Sequence, residues 1–182
     1  MSQAISEELK LGYEDYVNIP NDRYRHEIID GDHYVNAAPS MNHQRFSRRI
    51  QFQLFLQIEE TGRGEVVDAP VDVQLTDHDI VQPDLVIVMK ENRSVITPAK
   101  INGTPDMIVE ILSPSTRHND CVLKKALYEK AGVPEYWIVH SDDHTIEQFV
   151  LRDGKYILEG AHENRIDTST IPNVSVDLTM VW

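Results

Sequence analysis

Glu110 stands inside "DMIVEILS" (106–113), with Ile108, Val109, Ile111 and Leu112 around it. So apolar a stretch reads as a short strand buried on both faces. An ionised carboxylate is costly to bury there unless it is paired, protonated or bound to a metal. A second acid, Asp84, opens another such run, "PDLVIVM" (83–89), where Pro83 sets the strand entry. Neighbouring strands lie ~4.8 Å apart, so carboxylates on adjacent strands can hold one divalent cation between them. Oxygen ligands suit Mg²⁺ or Mn²⁺, which keep several waters and complete their shell with substrate phosphate. Such an ion removes the cost of burying Glu110, polarises a phosphoryl oxygen and supplies a hydroxide at workable pH. Asp84 and Glu110 are therefore the expected metal ligands. A turn-capping carboxylate is the competing reading of Asp84. For Glu110 it is a protonated core acid, or one paired with Arg117.

Beyond the end of the Glu110 strand, Asp120, Lys124 and Tyr128 recur at i, i+4 and i+8, which is one stripe of a helix. Lys124 can reach from that stripe over a water or a scissile phosphate, where its ammonium would orient the nucleophile or offset developing negative charge. Lys125 points about 100° away and is the weaker candidate. Tyr128 is placed to hydrogen-bond Lys124 or a ligand, although core packing alone would also account for it. Asp120 with Lys124 is also an ordinary helix-surface pair worth about 0.2–0.5 kcal/mol. Arg45, Arg48 and Arg49 form a second cluster, off the apolar stripe of their segment, with phosphate contact as the expected role and a solvated helix face as the plain alternative.

The elements that must position these residues are legible in outline. "YRHEIIDGDHYVNAA" (24–38) holds two β-like runs around Asp30-Gly31, a dipeptide that favours a tight hairpin. From Asn42 to about Glu60, Phe46, Ile50, Leu54, Phe55 and Ile58 recur with helical spacing, and Gly62 is a natural stop. Strand-like stretches follow at 64–75, 83–89 and 106–112, then turn and capping residues at 113–119. A second helix is expected from about Asp120 to Ala131, ended by Gly132 and Pro134. Strands at 135–139 and 145–151 come next, and "KYIL" and "IPNVSVDLTMVW" read as a further hairpin and a short closing element. Tyr136 and Trp137 are expected core aromatics. The whole is a single domain, 1–182, of α/β (α+β) class: two helices against a mixed, twisted sheet with 83–89, 106–112 and 135–139 at its centre.

With 182 residues, 41% of them hydrophobic and 26% charged, the chain suits one soluble domain, and no apolar run approaches the ~20 residues of a membrane span. The beginning, MSQAISEELK, has neither a basic n-region nor an apolar h-region, so a cytoplasmic location is the expectation. The single cysteine, Cys121, excludes an internal disulfide and any multi-cysteine zinc site. Thirty acids against 17 bases, a formal charge of −13, argue against a general, non-specific grip on nucleic acid. Local charge can still provide one, because acids crowd residues 6–15 and 142–167 while the three arginines share one segment.

"PDLVIV", "PDMIVEILSPSTRHND" and "KKALYEKAGVPEYWIV", with "YRHEIIDGDHYV" and "APSMNHQRF" upstream and "IPNVSVDL" downstream, resemble the Uma-type family of putative restriction endonucleases, a branch of the PD-(D/E)XK nuclease superfamily. The resemblance covers nearly the whole chain. It implies a restriction-endonuclease-like core in which Asp84 of "PD" and Glu110 of "EILS" bind the metal and DNA is the substrate. It also implies site positions for Glu27 in "HEIIDG" and His43 at the start of the first helix. The superfamily's lysine, two residues after the glutamate, is absent, since Leu112 stands there. In this family its role moves to the following helix, in agreement with the independent stripe argument for Lys124.

Three functions compete on these grounds. The leading one is a Mg²⁺- or Mn²⁺-dependent endonuclease that hydrolyses DNA with Lys124 assisting. The second is a non-catalytic, nuclease-like interaction module, favoured by the acidic charge. The third is a metallohydrolase of small phosphate esters, which needs a closed pocket where a duplex needs an open cleft. A homodimer suits a double-strand cutter, and the apolar "LTMVW" is its candidate interface.

Overall fold

The computed structural model describes residues 10–20, 22, 24–113 and 119–182. A short helix α1 (Tyr13–Tyr16) leads to the expected hairpin of β1 (Arg25–Ile29) and β2 (Asp32–Asn36), turned at Asp30 and Gly31, which both adopt positive φ. Helix α2 (Met41–Ile58) follows, with the Ser40 hydroxyl accepting the His43 N–H at its N-terminus. Next come β3 (Gly64–Asp68), β4 (Val73–Thr76), β5 (Asp79–Val81), β6 (Leu85–Met89), β7 (Ile101–Asn102) and β8 (Met107–Ile111). A π-helical segment, Asn119–Lys124, runs into α3 (Lys125–Ala131). The chain ends through β9 (Glu135–His140), β10 (Thr145–Arg152), β11 (Lys155–His162), β12 (Arg165–Asp167), β13 (Ser175–Asp177) and a closing 3₁₀ turn.

Six strands form the central sheet in the order β11-β10-β9-β8-β6-β3, with β8 and β9 parallel and every other pair antiparallel. The parallel step requires a crossover, and the segment through α3 supplies it. A second sheet, β2-β1-β5-β4-β7, and the β12/β13 pair complete the β-structure. The stretch 64–75, which reads as one strand, is divided between the two sheets. Pro70 has no N–H to give a ladder, and the chain leaves one sheet there before joining the other.

Alternation along β6 and β8 sends side chains to two cores. Leu85, Ile87, Val109 and Ile111 face α2, where Phe46, Ile50, Leu54 and Ile58 meet them. Val86, Val88, Ile108 and Leu112 face the opposite layer, built from α3 and the second sheet with Leu127, Tyr128, Val73 and Val81. Both faces of the central strands are thus covered, which is why they read as continuous apolar runs. Glu110 has the parity of Ile108 and Leu112, so it points into the second layer. The closing "LTMVW" is largely consumed by the chain's own core: Leu178 and Val181 are buried against α2, Trp182 packs edge-on to Phe46, and Met180 stays exposed. Among the described residues no helix is long and apolar enough to cross a membrane.

Candidate active site

The two acids singled out by the sequence meet. Leu85 pairs with Val109, so continuing the antiparallel register by one residue sets Asp84 across from Glu110. Both are buried, at 3% and 1% exposure. Asp84 accepts from both terminal nitrogens of Arg25 at 3.0 and 3.1 Å through Oδ1. Its Oδ2 accepts from His43 Nε2 at 2.9 Å and from the Ile111 N–H at 2.8 Å. His43 therefore carries its proton on Nε2. Burial alone would raise the Asp84 carboxyl, but the hydrogen bond and charge of His43, the Arg25 guanidinium and the Ile111 N–H outweigh it and hold the group below the ordinary aspartate value.

Glu110 Oε1 accepts from Lys124 Nζ at 3.0 Å and from the Tyr128 hydroxyl at 2.8 Å. The same ammonium lies 2.8 Å from Glu27 Oε1, so Lys124 bridges two buried glutamates. Glu27 also accepts from Asn36 Nδ2 at 2.6 Å and from the Gln82 N–H at 2.7 Å. Burial, then the charge of Glu110, push the Tyr128 phenol well above its usual range, so it remains a hydrogen-bond donor. All six expected site residues, Glu27, His43, Asp84, Glu110, Lys124 and Tyr128, belong to one network, joined at Gln82, whose N–H serves Glu27 and whose carbonyl accepts from Arg25 at 3.1 Å. Arg117 and residues 114–118 of the turn expected at 113–119 lie outside the described residues.

Local geometry explains how three separate segments deliver these groups. Arg25 and Glu27 alternate on one face of β1, which the β2 and β5 pairings bring to the Asp84 end of β6. His43 occupies the first turn of α2. The expected helix 120–131 begins as a π-helical turn, and Lys124 and Tyr128 straddle the junction with α3 while keeping the i, i+4 relation that brings both to Glu110. Lys125 diverges as expected and lies 3.7 Å over the Phe149 ring. Arg25, Asn36 and Gln82 are missed by sequence reasoning. The i, i+2 spacing of Arg25 and Glu27 in "YRHEII" is the one signal that could have found the arginine.

Three carboxylates, Glu27, Asp84 and Glu110, thus face two permanent cations, Arg25 and Lys124, plus one imidazole. A cavity of about 260 Å³ has Asp84, Glu110, His43 and Lys124 in its wall, together with the oxygen donors of Ser113 and Ser141. His43 Nδ1 and Arg25 Nε are buried without a hydrogen-bond partner among the described residues. No three His, Cys, Asp or Glu side chains among those residues form a ready-made ion cage. Two carboxylates in the wall of one cavity would fit the habit of Mg²⁺ or Mn²⁺, which take one or two protein carboxylates. An ion there would exchange with the cationic partners the acids now have.

A central mixed sheet with a buried acid pair, a bridging helix lysine and an adjoining second sheet define a restriction-endonuclease-like α+β protein. Residues 13–180 match the Uma2 family, described as "Putative restriction endonuclease", and the chain belongs to that family. Among solved structures it is similar to that of a putative nuclease belonging to DUF820 from Anabaena variabilis ATCC 29413. The TM-score is 0.77 at 13% identity over 94% of this chain and 97% of the other, a likeness of fold. No curated protein matches.

Proposed function

We propose that the protein is a metal-dependent endonuclease that hydrolyses DNA phosphodiester bonds, with Asp84 and Glu110 holding Mg²⁺ or Mn²⁺. The observation that carries this reading is the meeting of two strand-borne carboxylates in the wall of one cavity, with the Lys124 ammonium 3.0 Å from Glu110. When bound, the ion supplies Lewis-acid polarisation of the phosphoryl group and acidifies water. Hydrolysis joins a water oxygen to phosphorus, breaks one P–O ester bond and delivers a proton to the departing sugar oxygen.

The chain's own residues position that chemistry. Lys124, tethered by Glu27 and Glu110, presents an ammonium where negative charge develops on the phosphoryl oxygens. Tyr128 fixes the Glu110 carboxylate, and His43 with the Ile111 N–H fixes that of Asp84. Arg25 neutralises Asp84, and with a divalent ion held there it would be free to turn to substrate phosphate. The acid cavity shares Arg25, Pro39, His43 and Asp84 with a larger groove of about 670 Å³, and the continuity of the two spaces favours a chain-like substrate over a compact ester.

A second reading, a non-catalytic module, gains support from the internal pairing, since Arg25, His43 and Lys124 already compensate the acids. The test is incubation of supercoiled plasmid and single-stranded DNA with the protein in Mg²⁺, Mn²⁺ or EDTA, beside Asp84→Asn and Lys124→Ala. Metal-dependent nicking abolished in Asp84→Asn upholds the nuclease. Equal activity of that variant sinks the assignment.

A further inference from the structure

Helix α2 is the least acidic part of an acidic chain. Its 18 residues, Met41–Ile58, contain no Asp or Glu, whereas the whole chain has 30 acids in 182 residues. Its three arginines part company in the fold. Arg49 turns inward and donates to the backbone carbonyls of Val181 and Trp182 at 2.9 and 2.8 Å, which removes it from the phosphate-contact role expected for the cluster. Arg45 and Arg48 stay exposed, and neither has a carboxylate partner among the described residues. Among those residues Arg45 donates only to the Asn42 side chain, at 2.9 Å.

Both arginines line the 670 Å³ groove, with Gln44, Ser47 and Gln51 from the same helix face adding neutral hydrogen-bonding groups. The far wall is the turn Asp68–Pro70, and the floor is Arg25, His43 and Asp84, the residues that also wall the acid cavity. A track therefore runs from Arg45 and Arg48 to the carboxylate pair. We infer that this groove is the nucleic-acid track, in which Arg45 and Arg48 hold backbone phosphates flanking the one presented to Asp84 and Glu110. Its occupant is a single strand. The volume lies within the ~300–1,000 Å³ of small-molecule pockets, so a nucleotide or two of one strand fills it. With a formal charge of −13, the rest of the molecule repels a polyanion, so the α2 face sets its direction of approach. The inference rests on the nuclease reading for the identity of the ligand, but its test does not depend on cleavage.

The experiment is fluorescence anisotropy of a labelled 20-nucleotide single strand in EDTA, titrated with salt. It compares the wild-type protein, Arg45→Gln/Arg48→Gln, and a control, Lys90→Gln/Lys130→Gln, which removes the same charge from exposed positions elsewhere. Each lost phosphate contact lowers the log-log salt slope by ~0.7 for a single strand. The arginine pair should therefore lower it by ~1.4 and weaken binding at low salt at least ~10-fold. The control should keep the wild-type slope, and the thermal midpoint of all three should agree. An unchanged slope in the arginine variant, an equal loss in the control, tighter binding of the matching duplex, or no binding by the wild-type protein would each overturn the inference. Binding through Arg45 and Arg48 without cleavage in Mn²⁺ would instead sink the hydrolytic reading and leave the track standing. Wild-type cleavage with an unchanged slope in the arginine variant would do the reverse.

Discussion

Glu110 and Glu135 sit on neighbouring parallel strands, β8 and β9, and are equally hidden, at 1% and 0% exposure. Their surroundings have little in common. Glu135 has the parity of Trp137 and Val139 and faces the α2 side of the sheet, where it accepts five hydrogen bonds from neutral donors. They are Trp137 Nε1, Gln148 Nε2, the N–H groups of Ser169 and Thr170, and the Thr170 hydroxyl, all within 2.7–2.9 Å. Glu110 faces the other layer, is held by an ammonium and a phenol, and borders a cavity. Two of the dipoles that satisfy Glu135 are the backbone N–H groups of Ser169 and Thr170, and they cannot leave without unmaking that segment. A lysine at a helix start can move or exchange for another cation. Burial alone therefore does not identify a functional carboxylate, and the role proposed for Glu110 rests on its cationic partner and the cavity beside it.

Exchanging each acid for its amide should separate the two roles. Glu110→Gln should lower metal-dependent plasmid cleavage by at least ~100-fold while moving the melting midpoint little, because Glu27 still holds Lys124. Glu135→Gln should do the opposite. Its amide N–H₂ faces other donors and leaves some of them unsatisfied, at about 1–3 kcal/mol each. A loss of about 3 kcal/mol corresponds to ~6–12 °C in a domain of this size, with cleavage by the folded fraction retained. A Glu110→Gln protein that melts early but cleaves normally would erase the distinction.

Lys124→Ala tests whether the Glu110 side is truly exchangeable. Removing the ammonium leaves two buried carboxylates facing each other, and a broken buried pair costs about 3–5 kcal/mol. Mn²⁺ should restore part of that loss, so calorimetry should show a larger Mn²⁺-induced rise in melting temperature for Lys124→Ala than for the wild type. An equal rise in both would show that the lysine and the ion do not compete for the same acids.

Acid titration sharpens the comparison further. The Asp84 carboxyl is held below its unfolded value of about 3.9. Its contribution to stability is therefore complete above that pH and is lost as pH falls through the lower, folded-state value. Asp84→Asn should flatten the acid limb of the stability curve below about pH 4, measured by urea unfolding. An unaltered limb would remove Asp84 from the set of strongly compensated groups.

The smallest effect belongs to Tyr128. Its phenol, like those of Tyr16 and Tyr156, is pushed up first by burial. A raised folded-state value means that stability is intact below the unfolded value of about 10 and declines above it, as the unfolded chain ionises first. Tyr128→Phe should make that alkaline decline shallower and reduce cleavage only a few-fold, since Lys124 still holds Glu110. A decline as steep as in the wild type would assign the alkaline loss to the other two tyrosines.

Much of the candidate site was readable because its parts violate their surroundings. A glutamate amid Ile108, Val109, Ile111 and Leu112 is conspicuous in any strand, and the i, i+4 relation of Lys124 and Tyr128 survives the change from π to α helix because both residues still fall on one face. Arg25 was missed because its i, i+2 spacing to Glu27 is the one local hint, and that spacing does not separate a surface arginine on a β-strand from one that closes a salt bridge 59 positions away. The second sheet was hidden for a related reason. Its strands β4, β5 and β7 are two to four residues long, too short to show a period, and are held by partners distant in the chain. Arg45, Arg48 and Arg49 looked equivalent at i, i+3 and i+4, and only the packing of the chain's end against α2 set Arg49 apart.

Sequence by itself determined the period of the main elements, the α+β class and the residues proposed to hold a divalent ion, because these follow from spacing and from the energetic oddity of charge inside apolar runs, while its motifs carried the resemblance to the family. Tertiary structure decided which cation compensates which acid, that Glu27 shares Lys124 with Glu110, and that the acid cavity opens into a groove lined by Arg45 and Arg48. Those outcomes depend on distances between side chains tens of residues apart, and electrostatic energy depends on separation in space and local burial, which no separation along the chain specifies.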